Sequence, residues 1–302
     1  MAILVVGSVA FDDLKTPTRN ADGVIGGAAT YFALSASFFT EVNVVAVVGD
    51  DFTERERKIF EGRPVDISGL ETAPGKTFRW GGEYSADLTS RTTLFTDLGV
   101  FERFQPTIPA HFRESSFVFL ANIHPTLQVE VMKQVSSPRL IGADTMNYWI
   151  ERTPSELAEM LSKIDVLVIN DEEARQLAAE HNLVKAAARI RSMGPSTLVI
   201  KRGEYGVLCF RANERFATVS FPLETVVDPT GAGDSFAGGF MGYLATREVL
   251  DDQAVRQAII FGSVLGSFSV EDLGTDRLAR LTREEVYDRY QEFKTLTDFQ
   301  SL

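Results

Sequence analysis

One stretch of the chain places a carboxylate directly after a glycine-rich loop: residues 226–240 read V-V-D-P-T-G-A-G-D-S-F-A-G-G-F. Pro229 predicts a turn, residues 231–233 carry almost no side chain, and a helix is predicted to begin near Asp234. Free backbone N–H groups at a helix N-terminus bind anions, most commonly phosphate. Asp234 would repel a bound phosphate unless it had its own function. The function that fits is general base for a hydroxyl group attacking a phosphoryl group.

The same residues also have a purely structural interpretation. An Asp in a first helical turn is often only a cap, and Gly238, Gly239 and Gly242 could simply let the helix pack closely against a sheet. The complete string D-P-T-G-A-G-D-S-F favours the functional interpretation. It resembles the C-terminal signature of the ribokinase-like, or PfkB-type, carbohydrate kinase family.

The resemblance implies a role for each part of this string. The amides of Gly231, Ala232 and Gly233 would form the anion hole for the transferring phosphoryl group. Asp234 would be the catalytic base and would contact the acceptor hydroxyl. Asp228 and Thr230 would lie near the triphosphate and near a monovalent cation, with K⁺ as the candidate.

The acceptor side of the predicted site comes from the N-terminal part of the chain. Asp12 follows a continuous apolar run that predicts a buried strand, and the matching Asp of the family binds sugar hydroxyls. The alternative for Asp12 is a solvated loop carboxylate. Gly26 and Gly27 match a glycine pair that lets backbone approach the sugar. The family's Asn is replaced by Tyr31, so one hydrogen bond to the sugar is lost or is made by a phenol, which puts ordinary ribose or fructose in doubt as the substrate.

The nucleotide side is predicted at the ends of two later strands. The string N-D-E-E matches the family motif N-x-x-E, which implies that Asn170 and Glu173 organise water around Mg²⁺ and that Asn170 lies near the phosphates. A helix N-cap with an acidic first turn satisfies the same string.

Three further positions are implied to line the nucleotide. Lys201, Gly203 and Gly206 match a turn that runs under the nucleotide in the family, although a plain hairpin turn explains the same residues. Ser263, on a predicted helix with several small residues, would flank the adenine.

The order of predicted elements favours an α/β fold. Short apolar strands alternate with helices along most of the chain, and the resemblance implies a three-layer α/β/α arrangement around a mostly parallel sheet. Residues 64–98 differ, because they are rich in Thr, Phe, Trp and Tyr. With Gly81-Gly82 as breakers, they predict antiparallel strands at 76–84 and 90–97.

In the family, such strands form a lid over the acceptor and often pair two subunits. We therefore expect one kinase domain over residues 1–302, with lid segments near 12–24 and 72–98. We also expect a homodimer held through this small β lid.

Composition limits the partners. The net charge of −12 disfavours nucleic acid and anionic membrane as partners, and no apolar segment is long enough to predict a membrane span. Cys209 is the single cysteine, which excludes an intrachain disulfide and fits a reducing cytoplasm; its strand-like surroundings predict a buried core residue. The chain lacks G-x-x-x-x-G-K-[ST], so it is not a P-loop kinase, and it lacks H-E-x-x-H and C-x-x-C zinc motifs.

These features together predict an ATP- and Mg²⁺-dependent kinase that phosphorylates a hydroxymethyl group on a small sugar or sugar-containing compound. A nucleoside kinase is the first alternative, since Tyr31 and the aromatic lid strand could stack a base. The second is a non-catalytic sugar-binding or regulatory protein on the same fold. The presence of Asp234 and the loop glycines counts against that second alternative.

Overall fold

The structure is a computed structural model and describes residues 1–298. The strands within this range are β1 Ile3–Val6, β2 Ala10–Lys15, β3 Asn20–Gly26, β4 Val42–Val48, β5 Val65–Thr72, β6 Arg79–Tyr84, β7 Arg91–Asp97, β8 Phe117–Leu120, β9 Leu140–Ala143, β10 Val166–Asn170, β11 Thr197–Lys201, β12 Val207–Arg211 and β13 Glu214–Thr218. The helices are α1 Ala28–Ala36, α2 Glu54–Arg57, α3 Pro125–Met132, α4 Asn147–Arg152, α5 Pro154–Leu161, α6 Asp171–Ala178, α7 Leu183–Arg191, α8 Ala232–Leu244, α9 Asp252–Ser269, α10 Asp276–Arg280 and α11 Arg283–Thr297.

A large, mostly parallel sheet forms the centre of the molecule, as predicted. Its strand order is β13-β12-β11-β10-β9-β8-β1-β4-β5. In this spatial order, every neighbouring pair from β11 through β10, β9, β8, β1 and β4 to β5 is parallel. Strands β12 and β13 extend the β11 edge as antiparallel hairpins, because short turns join them. Parallel strands align their carboxyl ends, so the residues that follow them gather at one edge of the sheet.

Helices cover both faces of this sheet and give two hydrophobic cores. Successive residues of β1 point to opposite faces: Ile3 and Val5 belong to one core, whereas Leu4 and Val6 belong to the other. All four side chains are fully buried, which explains why this strand reads as a continuous apolar run rather than an alternating one. The predicted three-layer architecture is therefore confirmed.

A second, four-stranded sheet within the described residues has the order β3-β2-β6-β7 and is called the lid here. Strands β6 and β7 are antiparallel, as predicted, whereas β2 and β6 run parallel. The expectation that residues 64–98 stand apart from the α/β alternation is wrong for β5, which pairs in parallel with β4 at the edge of the main sheet.

The prediction that Gly81 and Gly82 break the lid strands is also wrong, because both lie inside β6. A Cβ at Gly82 would collide with the Trp80 ring, and a Cβ at Gly81 would collide with the Phe95 ring. The two glycines therefore provide the space in which aromatic rings lie flat against the two faces of the lid.

Helix α8 packs through its glycines, but against two helices and not against a sheet as the structural interpretation of its sequence predicted. A Cβ at Gly239 would lie 2.8 Å from the carbonyl oxygen of Phe261 on α9, and a Cβ at Gly238 would collide with the carbonyl oxygen of Phe32 on α1. This close contact fixes the start of α8 relative to both neighbouring helices. Among residues 1–298, no helix has the length and apolar character needed to cross a membrane.

Candidate active site

Polar residues collect where the parallel strands end. Ser8 follows β1 closely, Asp144 follows β9, Asn170 ends β10 and Lys201 ends β11. The helix α8 begins at the same edge of the sheet with the glycine loop at its N-terminus. The predicted nucleotide-side residues and the predicted base are thus brought to one edge.

The glycine loop has the geometry expected of an anion site. Gly231 is the N-cap of α8 with φ 72°, a left-handed conformation that favours glycine, and no side chain caps the helix. Residues 231–234 are half-buried, and Asp234 lies in the first helical turn. The first N–H groups of α8 therefore remain available to an anion beside the Asp234 carboxylate.

Asp234 has the electrostatic character of a base. Burial raises the pKa of its carboxyl group, while the positive charges of Lys201 and Arg91 oppose the rise. A carboxylate with a raised pKa is a stronger proton acceptor than a solvated one.

Tyr31 lies beneath the glycine loop. Its side chain is buried, and a Cβ at Gly231 would collide with its ring. Its hydroxyl group has no hydrogen-bond partner within the described chain, and burial, followed by the charges of Asp12, Asp228 and Asp234, raises its pKa. The ring therefore supports the anion loop from inside the protein, and the hydroxyl points among the carboxylates of the site.

Asp228 links two loops by hydrogen bonds and is not exposed to solvent. It is fully buried; its Oδ1 accepts a hydrogen bond from the Thr230 N–H at 2.9 Å, and its Oδ2 accepts one from the Gly274 N–H at 2.9 Å. The Thr230 hydroxyl in turn lies 2.8 Å from the hydroxyl of Tyr84 on the lid strand β6. This chain of contacts holds the lid against the residue that precedes the glycine loop.

Asp12 is a buried carboxyl group of the lid. It lies on β2 and is 5% exposed, and burial, assisted by the charges of Asp228, Asp234 and Asp13, raises its pKa to about 8. A Cβ at Gly26 would collide with its carboxylate, which explains why glycine stands there. The solvated-loop alternative for Asp12 does not describe this buried carboxyl group.

Gly27 is required by the backbone. It has φ 92°, and a Cβ there would lie 2.5 Å from the carbonyl oxygen of Ser8. The Ser8 hydroxyl accepts a hydrogen bond from the Ala28 N–H at 3.0 Å. The glycine pair thus brings the end of β1, the Asp12 carboxylate and the start of α1 together.

Asn170 and Glu173 form a reciprocal capping box at the start of α6. The Glu173 N–H donates to Asn170 Oδ1 and the Asn170 N–H donates to Glu173 Oε2, both at 2.8 Å. The structural alternative for this motif is therefore present in the molecule. Burial raises the pKa of Glu173, whose other carboxylate oxygen is not used by the cap.

Sequence reasoning did not assign Asp144 to the site. Its Oδ1 is buried without a hydrogen-bond partner in the described part of the chain, and burial followed by the charge of Asp234 raises its pKa well above the usual range. Lys201 opposes that rise. The signal in the sequence that could have identified Asp144 is its position directly after a buried strand. No group of three or more His, Cys, Asp or Glu residues within 1–298 is arranged to hold a metal ion by itself.

The remaining predicted nucleotide residues lie in different settings. A Cβ at Gly233 would lie 2.5 Å from Lys201 Nζ, so the ammonium group sits against the glycine loop. Gly203 and Gly206 flank the turn between β11 and β12, which has the form of a hairpin. Ser263 donates a hydrogen bond to the Ile259 carbonyl oxygen within α9 at 2.9 Å.

Arg91 is a second residue that sequence reasoning missed. It begins β7, and its guanidinium carbon lies 5.3 Å from the centroid of the Trp80 ring. It acts electrostatically on both Asp12 and Asp234. An exposed arginine in a lid strand has no local sequence signature, because its importance depends on what the lid covers.

Comparison with known proteins identifies the class of this molecule. The family model described as pfkB family carbohydrate kinase matches residues 3–280, and the chain belongs to this family. A cytidine kinase of Thermococcus kodakarensis is 29% identical over 261 residues, which cover 84% of this chain and 92% of the relative. A nucleoside kinase of Methanothermobacter thermautotrophicus is 26% identical over 299 residues, which cover 94% of each chain.

Comparison with solved structures supports the same family fold. A solved structure described as a putative ribokinase II from Escherichia coli in complex with ATP and Mg²⁺ has a TM-score of 0.79 and 19% identity, covering 96% of this chain and 99% of that one. The predicted family and fold are confirmed. The chain is a phosphotransferase that acts on a hydroxyl group, which removes the non-catalytic alternative.

Proposed function

We propose that this kinase transfers the γ-phosphoryl group of ATP to the hydroxymethyl group of a nucleoside. The observation that carries the proposal is the position of Trp80. It lies opposite Asp12 in the parallel β2–β6 pair, so both side chains project from the same face of the lid, and the indole is only half-buried. A carboxylate suited to sugar hydroxyls thus stands beside a large apolar ring, which a base can cover and a free pentose cannot.

The relatives point the same way. Two enzymes that match most of this chain are named cytidine kinase and nucleoside kinase. The sequence suggested that Tyr31 could stack on the base. In the structure the Tyr31 ring instead packs under Gly231. Stacking with a base is therefore assigned to the lid rather than to Tyr31.

The proposed reaction divides the site into three parts. Asp12, with Gly26 and Gly27 around it, orients the sugar, and the hydroxymethyl oxygen attacks the γ-phosphorus while its proton passes to Asp234. The amides of residues 231–233 stabilise the charge on the transferring group, and ADP leaves. Lys201 supports the phosphates from the nucleotide side, because its ammonium group lies against Gly233.

Magnesium enters as part of the substrate MgATP. The Oδ1 of Asp144, which has no hydrogen-bond partner in the described chain, and the Glu173 oxygen that the capping box leaves unused are hard oxygen ligands that can bind Mg²⁺ or accept hydrogen bonds from its waters. Asn170 has its side-chain oxygen in the cap, so we assign it to orienting Glu173 and the adjacent phosphates. Gly203, Gly206 and Ser263 are proposed to border the nucleotide.

A monovalent cation such as K⁺ is proposed beside Asp228 and Thr230. Both Asp228 oxygens already accept backbone hydrogen bonds, so the carboxylate would act on such an ion mainly through its charge. Omission of K⁺, with choline chloride as a replacement at equal ionic strength, is expected to lower turnover.

The acceptor class is tested by ADP release with a panel of nucleosides and free sugars. We expect nucleosides to be phosphorylated with a higher kcat/KM than ribose or fructose. A preference for free sugars would support the second candidate, a sugar kinase, which Asp12 and the glycine pair also fit.

A matched pair of lid variants tests the role of Trp80. Trp80→Ala is expected to raise the KM of the nucleoside about tenfold or more, with a smaller effect on the KM of ATP, because the base loses its apolar surface. Phe95→Ala removes an aromatic ring from the opposite face of the same lid and is the control. Equal effects of the two variants on the nucleoside KM would reject the contact between Trp80 and the base.

We also propose that two copies associate through the lid and that the enzyme works in a reducing cytoplasm. Strand β7 lies at the edge of the lid, and Leu94, Phe95 and Leu98 on or next to it are exposed. The single cysteine, Cys209, is buried in the core as predicted, and burial raises its pKa to about 12. A buried neutral thiol is compatible with such a compartment.

A further inference from the structure

The lid places one arginine over the point where the acceptor and nucleotide sides meet. In the antiparallel β6–β7 pair, Arg91 lies directly opposite Tyr84. Tyr84 contacts Thr230, the residue before the glycine loop, with 2.8 Å between the two hydroxyl oxygens. Because side chains of a directly opposed pair project from the same face of a sheet, Arg91 projects toward the loop.

The side chain of Arg91 is held by an aromatic ring and not by a carboxylate. Its guanidinium carbon lies 5.3 Å from the centroid of the Trp80 ring, and it has no ion-pair partner among residues 1–298. The other arginine at this pair of strands differs: Arg79 Nη2 lies 2.7 Å from Asp13 Oδ1 and is committed to that pair. Arg91 also shares a side-chain hydrogen bond with Tyr84, which opposes the burial-driven rise in the pKa of that phenol, and its remaining N–H donors are available to a ligand.

The negative charge of the site favours a cation such as Arg91. Five carboxylates surround the loop, and burial is the main cause that raises the pKa of each one; they are Asp12, Asp144, Glu173, Asp228 and Asp234. Arg91 opposes the burial-driven rise in the pKa of Asp12, Glu173 and Asp234. A triphosphate adds further negative charge, so phosphoryl transfer here needs a cation near the transferring group.

Two cations therefore approach the loop from different layers. Lys201 comes from the end of β11 in the main sheet, with its ammonium group against Gly233. Arg91 comes from the lid strand β7, where it lies opposite Tyr84, and it opposes the rise in the pKa of Asp12, Asp234 and Glu173. A planar guanidinium can bind two phosphoryl oxygens at once, which an ammonium cannot do.

We propose that Arg91 is a catalytic residue whose guanidinium binds the phosphoryl group during its transfer and which the lid delivers to the glycine loop. This inference rests on the kinase activity proposed above, but it does not depend on which acceptor is used. It assigns to the lid a chemical role in addition to covering the acceptor.

The test measures binding of a transition-state mimic. The Kd of MgADP is measured with and without aluminium fluoride, which occupies the place of the transferring phosphoryl group. Wild type is compared with Arg91→Gln, Arg91→Lys and Lys15→Gln, where Lys15 is an exposed lid cation without an ion-pair partner in the described chain. This readout needs no acceptor, so a wrong acceptor class in the nucleoside panel and a failed role of Arg91 give different results.

We expect aluminium fluoride to tighten ADP binding in wild type and in Lys15→Gln. In Arg91→Gln the tightening of ADP binding by aluminium fluoride should be at least about tenfold smaller than in wild type, while the Kd of ADP alone stays within about threefold. The tightening in Arg91→Lys should lie between the values for wild type and Arg91→Gln. An undiminished gain in Arg91→Gln, or no gain in wild type, would overturn the proposal.

Steady-state kinetics provide the second readout, with the best acceptor from the panel. Arg91→Gln should lower kcat about 10²–10³-fold and leave both KM values within about threefold. A raised acceptor KM with an unchanged kcat would instead mean that Arg91 binds an anionic substituent of the acceptor, and this result also overturns the proposal. The melting temperatures of the variants exclude unfolding as the cause.

Discussion

The carboxyl group of Asp12 is buried, and within residues 1–298 it has no ion-pair partner. Its pKa is about 8 in the folded protein because of burial and neighbouring carboxylates, against 3.8 as the ordinary value. The folded state therefore holds this proton more tightly than the unfolded chain does. The contribution of Asp12 to stability is most favourable below pH 4 and is lost as the pH rises toward 8.

Replacement of the Asp12 carboxyl group should stabilise the ligand-free protein and weaken the binding of the acceptor. We expect Asp12→Asn to raise the melting temperature of the ligand-free protein by at least about 2 °C at pH 8, and by less at pH 5, because the amide cannot ionise. The same variant should raise the acceptor KM at least about tenfold. Thermal unfolding by circular dichroism at the two pH values checks the first effect, and a difference in melting temperature that does not change with pH would contradict it.

At the scale of the element, helix α8 contains glycines with two different purposes. Gly233 faces Lys201 Nζ, the flexible end of a side chain, whereas Gly238 faces the Phe32 backbone, which cannot move aside. The first glycine leaves room for the Lys201 ammonium group beside the loop, and the second leaves room for helix packing.

Two alanine substitutions separate these purposes. Gly233→Ala should displace the Lys201 ammonium and weaken ATP binding about tenfold, with a melting temperature close to that of wild type. Gly238→Ala should cost about 1–3 kcal/mol of folding free energy through overpacking and lower the melting temperature by several degrees. Calorimetry of ATP binding and of unfolding checks both variants, and a stability loss in Gly233→Ala as large as that in Gly238→Ala would reject the distinction.

The elements also show what the sequence could predict. The approximate start of α8 near Asp234 was predictable, because the turn residues and glycines that precede it are local signals. Glycines inside β6 were misread as breakers, since their purpose depends on rings that pack across the sheet. A lid strand cannot be assigned from alternation alone when glycines accommodate its aromatic side chains.

The site residues divide in the same way. Motifs point to Asp12, Asp234 and the loop glycines, because the chemistry that we propose constrains residue type and spacing there. Asp144 and Arg91 were missed: one depends on burial beside Asp234 and the other on the position of the lid. The place of the Tyr31 ring beneath Gly231 likewise follows only from the packing of α1 against α8.

At the scale of the whole molecule, the lid has an unpaired edge. In the described chain β7 pairs only with β6, all its residues are exposed, and Leu94 is 43% exposed. An exposed edge strand presents unpaired N–H and C=O groups, and β7 adds the exposed apolar side chains of Leu94 and Phe95; a second copy of the lid is the partner proposed here.

Sedimentation tests this assembly. We expect wild type to sediment at about twice the chain mass of 33.4 kDa and Leu94→Glu to shift toward monomer, because a charge would be buried in the interface. Val249→Glu changes another exposed apolar residue outside the lid and should leave the dimer intact. A wild-type monomer at micromolar concentration would contradict the proposed assembly.

In the proposed mechanism, the Asp234 carboxylate takes the acceptor's proton beside a phosphate-binding glycine loop. The most direct test of this step is the turnover of Asp234→Asn, measured together with the Kd of MgATP and the melting temperature of the same preparation. We expect kcat to fall about 10²–10⁴-fold, with the Kd of MgATP within about threefold and no loss of stability, because the amide keeps the shape of the side chain but cannot accept the proton. A variant that keeps more than about half of the wild-type turnover would contradict the account.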